Sequence, residues 1–270
     1  MDKKKGLRIP YDLIGSRETG AVAIVEVPDD MDPKEAAKEV MSRHPHVKSV
    51  LLKAGAREGE FRVRPLKLLA GSEETEVIHK EHGYRIKLDP RRVYFSPRES
   101  TERQLVAESV RDGELVLVMF AGAGPYAIAI AKRRRAQVVG IELNPTAVKY
   151  FQENVILNRV GHLVFPVEGD VAYVTPAMYG KFNRVVMPLP KGAYAFIGHA
   201  LRALRGGRGV VHFYYWGGDE ALSEAEEMFR KEATSLGLEA TSVGHRIVSS
   251  YAPRVYKIRV DFLVRPLNVE

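Results

Sequence analysis

Residues 114–158 read ELVLVMFAGAGPYAIAIAKRRRAQVVGIELNPTAVKYFQENVILN, and this stretch decides the fold. Leu115–Phe120 is a short apolar run typical of a buried strand, and Pro125–Arg135 after it has helical spacing. Gln137–Ile141 is a second apolar run, and it stops at the carboxylate of Glu142. The stretch therefore predicts a strand, a helix and a second strand, followed by a second helix.

The turns of this unit indicate a nucleotide-like cofactor. Ala121-Gly122-Ala123-Gly124 interrupts the first strand, and glycine lets a backbone approach a ligand closely. Glu142 stands at the tip of the second strand, about twenty residues further on, where a carboxylate can bind a pair of ribose hydroxyls. Asn144 and Pro145 suit the N-cap and the first position of a helix that runs to Asn158.

The glycine pattern also bears on which cofactor binds. A dinucleotide fold usually carries G-x-G-x-x-G and holds a pyrophosphate at the helix N-terminus. This chain has only Gly122-x-Gly124, followed by Pro125 and Tyr126, with no third glycine for close helix packing. The pattern disfavours a pyrophosphate and favours S-adenosyl-L-methionine, whose tail is an amino acid. The alternative is a tight strand–helix turn beside a surface glutamate.

Composition sets the broad class of the protein. The chain has 270 residues, 45% hydrophobic and 28% charged, which suits one large or two modest globular domains. No apolar run has the length of a membrane span, and no signal peptide precedes the first charges. Cys is absent, which excludes disulfides and thiolate metal sites, and the His residues show no paired ligand spacing. We expect a cytoplasmic monomer without a metal.

The net charge of +7 and the sequence pI of about 9.4 suit a polyanionic partner.

The first ninety residues predict a small α+β domain, residues 1–89, ahead of a second domain at 90–270, with a boundary near Asp89-Pro90. Its predicted elements are a strand at Ala21–Val27, a helix at Pro33–His44, a strand at Val47–Leu52, a charged loop or hairpin at Lys53–Arg64, and a hairpin of Val77–His79 with Tyr84–Leu88.

The rest of the chain completes an α/β pattern. Strands are predicted at Leu163–Val167, Arg184–Met187, Gly209–Tyr215, Arg246–Val248 and Lys257–Val264, and helices at Tyr194–Leu204 and Leu222–Leu236. Ser249–Arg254 is predicted to join the last two strands, which form an antiparallel closing hairpin. The fold class is therefore an α/β, Rossmann-like sheet of the class I S-adenosylmethionine-dependent methyltransferase type, preceded by the small α+β domain.

Two further strand ends offer candidate site residues. Asp170 follows the third strand, where a carboxylate often meets an adenine amino group, although a simple turn aspartate has the same spacing. Pro188-Leu189-Pro190 follows the fourth strand, at the edge where open α/β sheets place their chemistry. The alternative is a strand terminator, because proline cannot continue a ladder.

The segment Val93–Arg103 leads into the glycine unit. Ser100 or Thr101 can start a helix to about Val110, which puts Arg98 just before the helix and Glu102 in its first turn. Two charges at a helix start are also ordinary solvated side chains, since the helix dipole favours glutamate there.

Several blocks in one order carry a family resemblance. They are Tyr11–Gly15, Val50–Gly55, Gly59–Arg62, Val93–Arg103, Met119–Pro125 and Tyr251–Phe262. The chain resembles, over most of its length, the archaeal and eukaryotic tRNA (guanine-37-N1) methyltransferase family, together with the wybutosine-pathway enzymes that descend from it. The resemblance implies methyl transfer from S-adenosyl-L-methionine to N1 of the guanosine 3′ to the anticodon.

The resemblance also implies roles for particular residues. Tyr94 would help form the guanine pocket, Arg98 would contact guanine O6, and Glu102 would be the general base. The predicted cofactor-binding residues are Phe120, Ala121, Gly122, Gly124, Glu142, Leu143, Asn144, Asp170, Leu189 and Pro190. The residues expected to bind the anticodon region of tRNA are Lys53, Arg62, Arg64, Pro188 and Arg254.

Two positions depart from the family pattern. The family usually has Asp where this chain has Val118, and Asn where it has Pro188. The alternatives left open are transfer of the aminocarboxypropyl group of the same cofactor, methylation of a wyosine precursor as well as guanosine, and a tRNA-binding protein that has lost catalysis. The pair Arg98 and Glu102 favours methyl transfer over aminocarboxypropyl transfer.

Overall fold

The computed structural model describes residues 9–55, 63–189 and 191–267. The chain divides into two compact units, Met1–Arg98 and Glu99–Glu270. The division lies after the expected boundary near Asp89. Thr75 Oγ1 donates to Asp89 Oδ1 at 2.7 Å, and the Phe95 ring packs edge-on against His79 with centroids 5.1 Å apart. These contacts keep the segment after Asp89 with the first unit.

The first unit is a four-stranded sheet and a separate hairpin. Its elements are β1 (Tyr11–Ser16), β2 (Gly20–Val25), α1 (Pro33–Arg43), β3 (Val47–Lys53), β4 (Leu66–Gly71), β5 (Val77–Glu81) and β6 (Tyr84–Leu88). The sheet order is β1-β2-β3-β4, with β2 and β3 parallel and the outer pairs antiparallel. Strands β1 and β4 were not predicted; the other elements were.

The second unit is built on a seven-stranded sheet. Its elements are α2 (Ser100–Ser109), β7 (Leu115–Met119), α3 (Pro125–Arg133), β8 (Gln137–Glu142), α4 (Pro145–Leu157), β9 (Val164–Glu168), α5 (Val171–Val174), β10 (Arg184–Met187), α6 (Ile197–Ala203), β11 (Gly209–Gly217), α7 (Ala221–Ser235), β12 (Leu238–Ala252) and β13 (Val255–Pro266). The order is β12-β13-β11-β10-β7-β8-β9, and β13 runs antiparallel to both neighbours. No helix in the described ranges is long and apolar enough to cross a membrane.

The two faces of this sheet differ in chemistry. Successive strand residues point to opposite faces, and Val211, Phe213, Val260 and Phe262 belong to an apolar cluster that includes Phe229 of α7. The alternate positions of β10, β11 and β13 include six polar or charged residues: Arg184, His212, Tyr214, Lys257, Arg259 and Asp261. The second face therefore carries a row of buried charge.

The largest local error of the sequence prediction is β12. Only Arg246–Val248 was predicted as strand, and Ser249–Arg254 as a connection, but β12 spans Leu238–Ala252 and turns at Pro253-Arg254. Its pairing with β13 shifts register three times, which breaks the alternation that would reveal a long strand. Arg254 takes φ 60° in that turn.

Candidate active site

Glu142 and the glycine turn are in direct contact. Strands β7 and β8 are parallel neighbours, so their carboxyl ends meet at one edge. The Gly122 backbone N–H donates to Glu142 Oε2 at 2.7 Å, and the Asn144 N–H donates to Glu142 Oε1 at 2.8 Å. Asn144 caps α4 as predicted, accepting from Thr146 N at 3.0 Å. The structure therefore brings together the glycine turn, Glu142 and Asn144, three of the features assigned to the cofactor from the sequence.

The Glu142 carboxylate sits in a desolvated place. Burial raises its pKa, and the backbone donors of Asn144, Gly122 and Leu143 offset that effect only in part. A carboxylate has about four lone-pair sites, and the hydrogen bonds from Gly122 and Asn144 use two of them. Lone pairs are therefore left for the hydroxyl hydrogens of a bound ribose without release of the turn.

Packing, as well as ligand approach, explains the glycines. A Cβ on Gly124 would lie 2.0 Å from the Phe151 ring, and one on Gly140 would lie 2.4 Å from it. The Phe151 ring, on α4, thus fills the space between Gly124 and Gly140. The sequence has no third glycine after Gly124, and Gly140 on β8 provides the room for close helix packing instead. Asn154, also on α4, donates from Nδ2 to Ala123 O at 3.0 Å and holds the turn, a role the sequence analysis missed.

The other predicted cofactor residues that the structure describes follow the carboxyl ends of the parallel strands. Phe120 takes φ 57°, and its ring meets that of Phe196 with centroids 5.1 Å apart. Asp170 follows β9 and caps α5, accepting from Ala172 N at 2.7 Å, so the turn interpretation holds for one of its oxygens. Leu189 is partly buried against the apolar cluster. Pro190 lies outside the described residues.

Glu102 is buried in a cationic setting. Its side chain is 2% exposed, so the alternative of a solvated helix-start charge is wrong for this residue. Tyr214 Oη donates to Glu102 Oε1 at 2.7 Å, and Arg259 Nη1 donates to the same oxygen. Arg246 Nε lies 3.1 Å from Oε2. Oε2 is thus buried and ion-paired, but it accepts no hydrogen bond from the described residues and keeps lone pairs for a proton.

Arg98 and Tyr94 belong to the first unit. The side chain of Arg98 is 59% exposed, and its Nε donates to Asp12 Oδ1 at 2.5 Å. Asp12 is part of the Tyr11–Gly15 block, which therefore orients this guanidinium. Tyr94 is 40% exposed, as a surface that stacks on a base would be. Glu102 belongs to the second unit.

The two departures from the family pattern fall on described residues. Val118 is fully buried on β7, in register with Gly140 and Val186. Pro188 follows β10 directly and is partly buried. A carboxylate at position 118 would therefore be desolvated, and this chain avoids that cost.

The cations expected to bind tRNA differ in accessibility. Lys53 donates to Glu26, and its side chain is 19% exposed. Arg64 is partly buried. Arg254 is exposed in the β12–β13 turn, with Nε 2.9 Å from Asp219 Oδ2. Arg62 lies outside the described residues. In the described part of the chain, no group of three or more His, Cys, Asp or Glu is arranged to hold a metal.

Comparison with known proteins gives a consistent result. Residues 77–241 match the family model described as the TRM5/TYW2 methyltransferase domain. The tRNA (guanine(37)-N(1))-methyltransferase Trm5b of Pyrococcus abyssi is 38% identical over 97% of this chain and 76% of its own length.

Two solved structures share the fold. A complex of aTrm5 with tRNALeu has a TM-score of 0.82 and 36% identity, and the match covers 95% of this chain and 72% of that one. TYW2 of P. horikoshii in complex with MeSAdo has a TM-score of 0.81 and 26% identity, with 94% and 90% covered. The α/β methyltransferase fold predicted from the sequence is confirmed, and the chain belongs to the TRM5/TYW2 methyltransferase family.

Proposed function

We propose that this protein is a tRNA (guanine-37-N1)-methyltransferase that uses S-adenosyl-L-methionine. The observation that carries the proposal is Glu102, a buried carboxylate whose Oε1 accepts hydrogen bonds from Tyr214 and Arg259, while Oε2 is ion-paired with Arg246 and accepts no hydrogen bond from the described residues. The similarity to Trm5b of Pyrococcus abyssi over 97% of the chain supports the same activity. A lapsed binding protein has no need of such a desolvated acceptor.

The chemistry follows from guanine itself. Its N1 carries a proton and is a poor nucleophile until a carboxylate within hydrogen-bond reach takes that proton. Glu102 Oε2 is the proposed acceptor, and the guanidinium groups of Arg259 and Arg246 pair with the two oxygens of this carboxylate. As the proton leaves N1, negative charge develops on O6, where Arg98 is the proposed stabilising guanidinium. N1 forms its new bond to the methyl carbon while the carbon–sulfur bond breaks.

The cofactor site is the turn that ends β7. S-adenosyl-L-methionine, when bound, supplies a methyl group on a positively charged sulfur. Glu142 would hold its ribose hydroxyls, and the turn Ala121–Gly124 would lie under its methionine end. The free lone pairs of Glu142 support this assignment. The relative TYW2, solved with MeSAdo, supports a cofactor of this chemical class.

The macromolecular partner is tRNA, as the aTrm5 complex with tRNALeu and the net charge of +7 support. The anticodon region is its proposed contact, with Arg62 and Arg64 as phosphate ligands. Lys53 contributes only after it exchanges Glu26 for a phosphate. We expect the enzyme to act as a cytoplasmic monomer.

Isotope transfer tests the proposal directly. The protein is incubated with unmodified tRNA transcripts and with cofactor labelled either in the methyl carbon or in the carboxypropyl carbons. Methyl label recovered as 1-methylguanosine, and absent from a transcript with adenosine at position 37, is the expected result. Carboxypropyl label in the RNA would replace the proposal with aminocarboxypropyl transfer, and no label would leave a binding protein.

Pro188 favours one second candidate, methylation of a wyosine precursor in addition to guanosine. The family's Asn offers a side-chain donor and acceptor that Pro188 lacks, so the base edge is less specifically read. A tRNA carrying the tricyclic precursor at position 37 is compared with the guanosine transcript in single-turnover reactions. Methyl transfer to both would establish the second activity; transfer to guanosine alone would exclude it.

A further inference from the structure

The buried charges behind Glu102 form one continuous chain. On β11 and β13, His212 stands directly opposite Asp261, and Tyr214 directly opposite Arg259. Arg246 on β12 is opposite Arg259 in turn. The register therefore brings two guanidinium groups to one carboxylate, Glu102, from the strands beneath α2.

The contacts of His212 define its protonation state. Its Nδ1 lies 2.6 Å from Asp261 Oδ1, an atom that only accepts hydrogen bonds. Its Nε2 lies 2.8 Å from Arg184 Nη1, an atom that only donates. Both bonds exist only if Nδ1 carries the hydrogen and Nε2 carries none. A second proton on His212 would place two donors face to face and displace Arg184.

The surroundings of His212 support the neutral ring. The groups that face it are Ser109 Oγ from α2 at 3.5 Å, Arg184 from β10, and Asp261 with Arg259 from β13. Glu114, just before β7, accepts hydrogen bonds from Arg184 Nε at 2.7 Å and from Arg184 Nη2 at 3.0 Å. These two bonds hold the guanidinium of Arg184 against His212. Burial lowers the pKa of His212, and the bond to Asp261 only partly opposes this.

The chain of contacts continues from His212 to the carboxylate of Glu102. Asp261 lies 2.9 Å from Arg259 Nε through Oδ1 and accepts from Arg259 Nη2 at 3.2 Å through Oδ2. Arg259 then donates to Glu102 Oε1, the oxygen that also accepts a hydrogen bond from Tyr214 Oη. The guanidinium of Arg259 is therefore held between the carboxylates of Asp261 and Glu102, and its orientation decides which oxygen of Glu102 receives its hydrogen bond.

We propose that His212 is a positioning residue for methyl transfer, which in its neutral form holds Asp261 and Arg259 so that Arg259 donates to Glu102 Oε1 and leaves Oε2 without a hydrogen bond, as the acceptor for the N1 proton of guanine. This role rests on the proposed function of Glu102 as the base. Protonation of His212 expels Arg184 and loosens the Asp261–Arg259 clamp. Methyl transfer then needs two deprotonated groups, Glu102 and His212.

The pH dependence of single-turnover methyl transfer tests this role. On the acid side, we expect the logarithm of the wild-type rate to fall with a slope approaching 2, because each of the two groups contributes about one unit. His212→Asn keeps a donor near the Nδ1 position but cannot titrate, so its slope should approach 1. His162→Asn, at an exposed histidine before β9, is the matched control and should keep the wild-type slope.

A second variant measures the strength of the clamp. His212→Phe removes the donor to Asp261, and loss of a hydrogen bond to a charged group predicts a rate about 10–100-fold lower at pH 8. His212→Asn should recover part of that loss. If His212→Phe does not fold, the pH slope of His212→Asn still decides. A wild-type slope in His212→Asn, or a wild-type rate in folded His212→Phe, overturns the proposal.

Two further measurements separate this inference from the proposed function. Nitrogen NMR of His212, assigned by comparison with His212→Asn, should show a protonated Nδ1 and a bare Nε2 at pH 7; a protonated Nε2 overturns the positioning role. Glu102→Gln is assayed in parallel. A wild-type rate there removes the general base itself, whereas a slow Glu102→Gln with an unchanged slope in His212→Asn removes only the role of His212.

Discussion

Removing Glu142 should cost most of the affinity for S-adenosyl-L-methionine. The carboxylate already accepts from Gly122 N at 2.7 Å and Asn144 N at 2.8 Å and has lone pairs left for the ribose hydroxyls. A hydrogen bond to a charged group contributes about 1.5–3 kcal/mol, so two contribute about 3–6 kcal/mol. Glu142→Ala should therefore raise Kd by about a hundredfold to ten-thousandfold.

The measurement is isothermal titration calorimetry with the cofactor. Glu168→Ala is the matched control, because Glu168 is the register partner of Glu142 on β9 but is exposed. The control should bind within about threefold of wild type, since an exposed carboxylate is not held at the ligand. Equal Kd values for Glu142→Ala and wild type would refute the assignment of Glu142 to the ribose.

Acid should reproduce the effect without a mutation. Because burial raises the pKa of Glu142, its proton begins to compete with the cofactor at a higher pH than for an ordinary glutamate. Affinity should thus fall early on acidification, and Glu142→Gln should bind weakly at every pH. The effect on folding has the opposite sign: with a raised folded-state pKa, the stabilisation is fully present below the unfolded pKa and is lost as pH rises through the folded pKa.

Other variants test catalysis, packing and tRNA binding. Glu102→Gln should lower the single-turnover rate about 100–10,000-fold while cofactor and tRNA affinities stay near wild type; a rate within threefold would contradict the base. Gly124→Ala adds a Cβ 2.0 Å from the Phe151 ring of α4, at φ +85°, and should lower the free energy of unfolding by about 2–5 kcal/mol. The control Gly113→Ala has a similar φ of +82° but nothing within 4 Å of the new Cβ, and should lower the free energy of unfolding by only about 1–2 kcal/mol. Urea titration separates the two, and equal losses would remove the packing explanation. Arg64→Ala should reduce the slope of log K against log salt by about 1, and Lys132→Ala, exposed at the end of α3, should leave it unchanged; filter binding at several salt concentrations decides.

The carboxyl ends of β7 and β8, where the cofactor residues were expected, could be predicted because they depend on local sequence patterns. The carboxyl ends of neighbouring parallel strands meet, so Gly122 and Glu142 had to converge once β7 and β8 were recognised. The Asn144-Pro145 pair marks a helix start on its own. These features depend on residues within one strand–helix–strand unit, which is the range over which periodicity and capping carry information.

The setting of Glu102 could not be predicted in the same way. Its partners Tyr214, Arg246 and Arg259 lie more than a hundred residues away, on strands whose order is set by the whole sheet. From the sequence, a glutamate in the first turn of a helix is as well explained by the helix dipole. The long strand β12 was hidden for a related reason, since its bulges remove the two-residue alternation.

The charged face of the sheet is better explained by chemistry than by stability. Ion pairs among the described residues of this face join the carboxylates of Glu99, Glu102, Glu114 and Asp261 with the cations Arg184, Arg246, Lys257 and Arg259. Replacing buried ion pairs with apolar residues is often neutral or stabilising by about 1–4 kcal/mol. A fold that sought stability alone would thus favour apolar side chains on both faces. An ionised base, in contrast, has to be held away from water with one oxygen open, and that demands fixed cations on its other side. The ion-paired network beneath α2 meets this demand, and a proton on the ring of His212 would add a further positive charge beside Arg184 and Arg259.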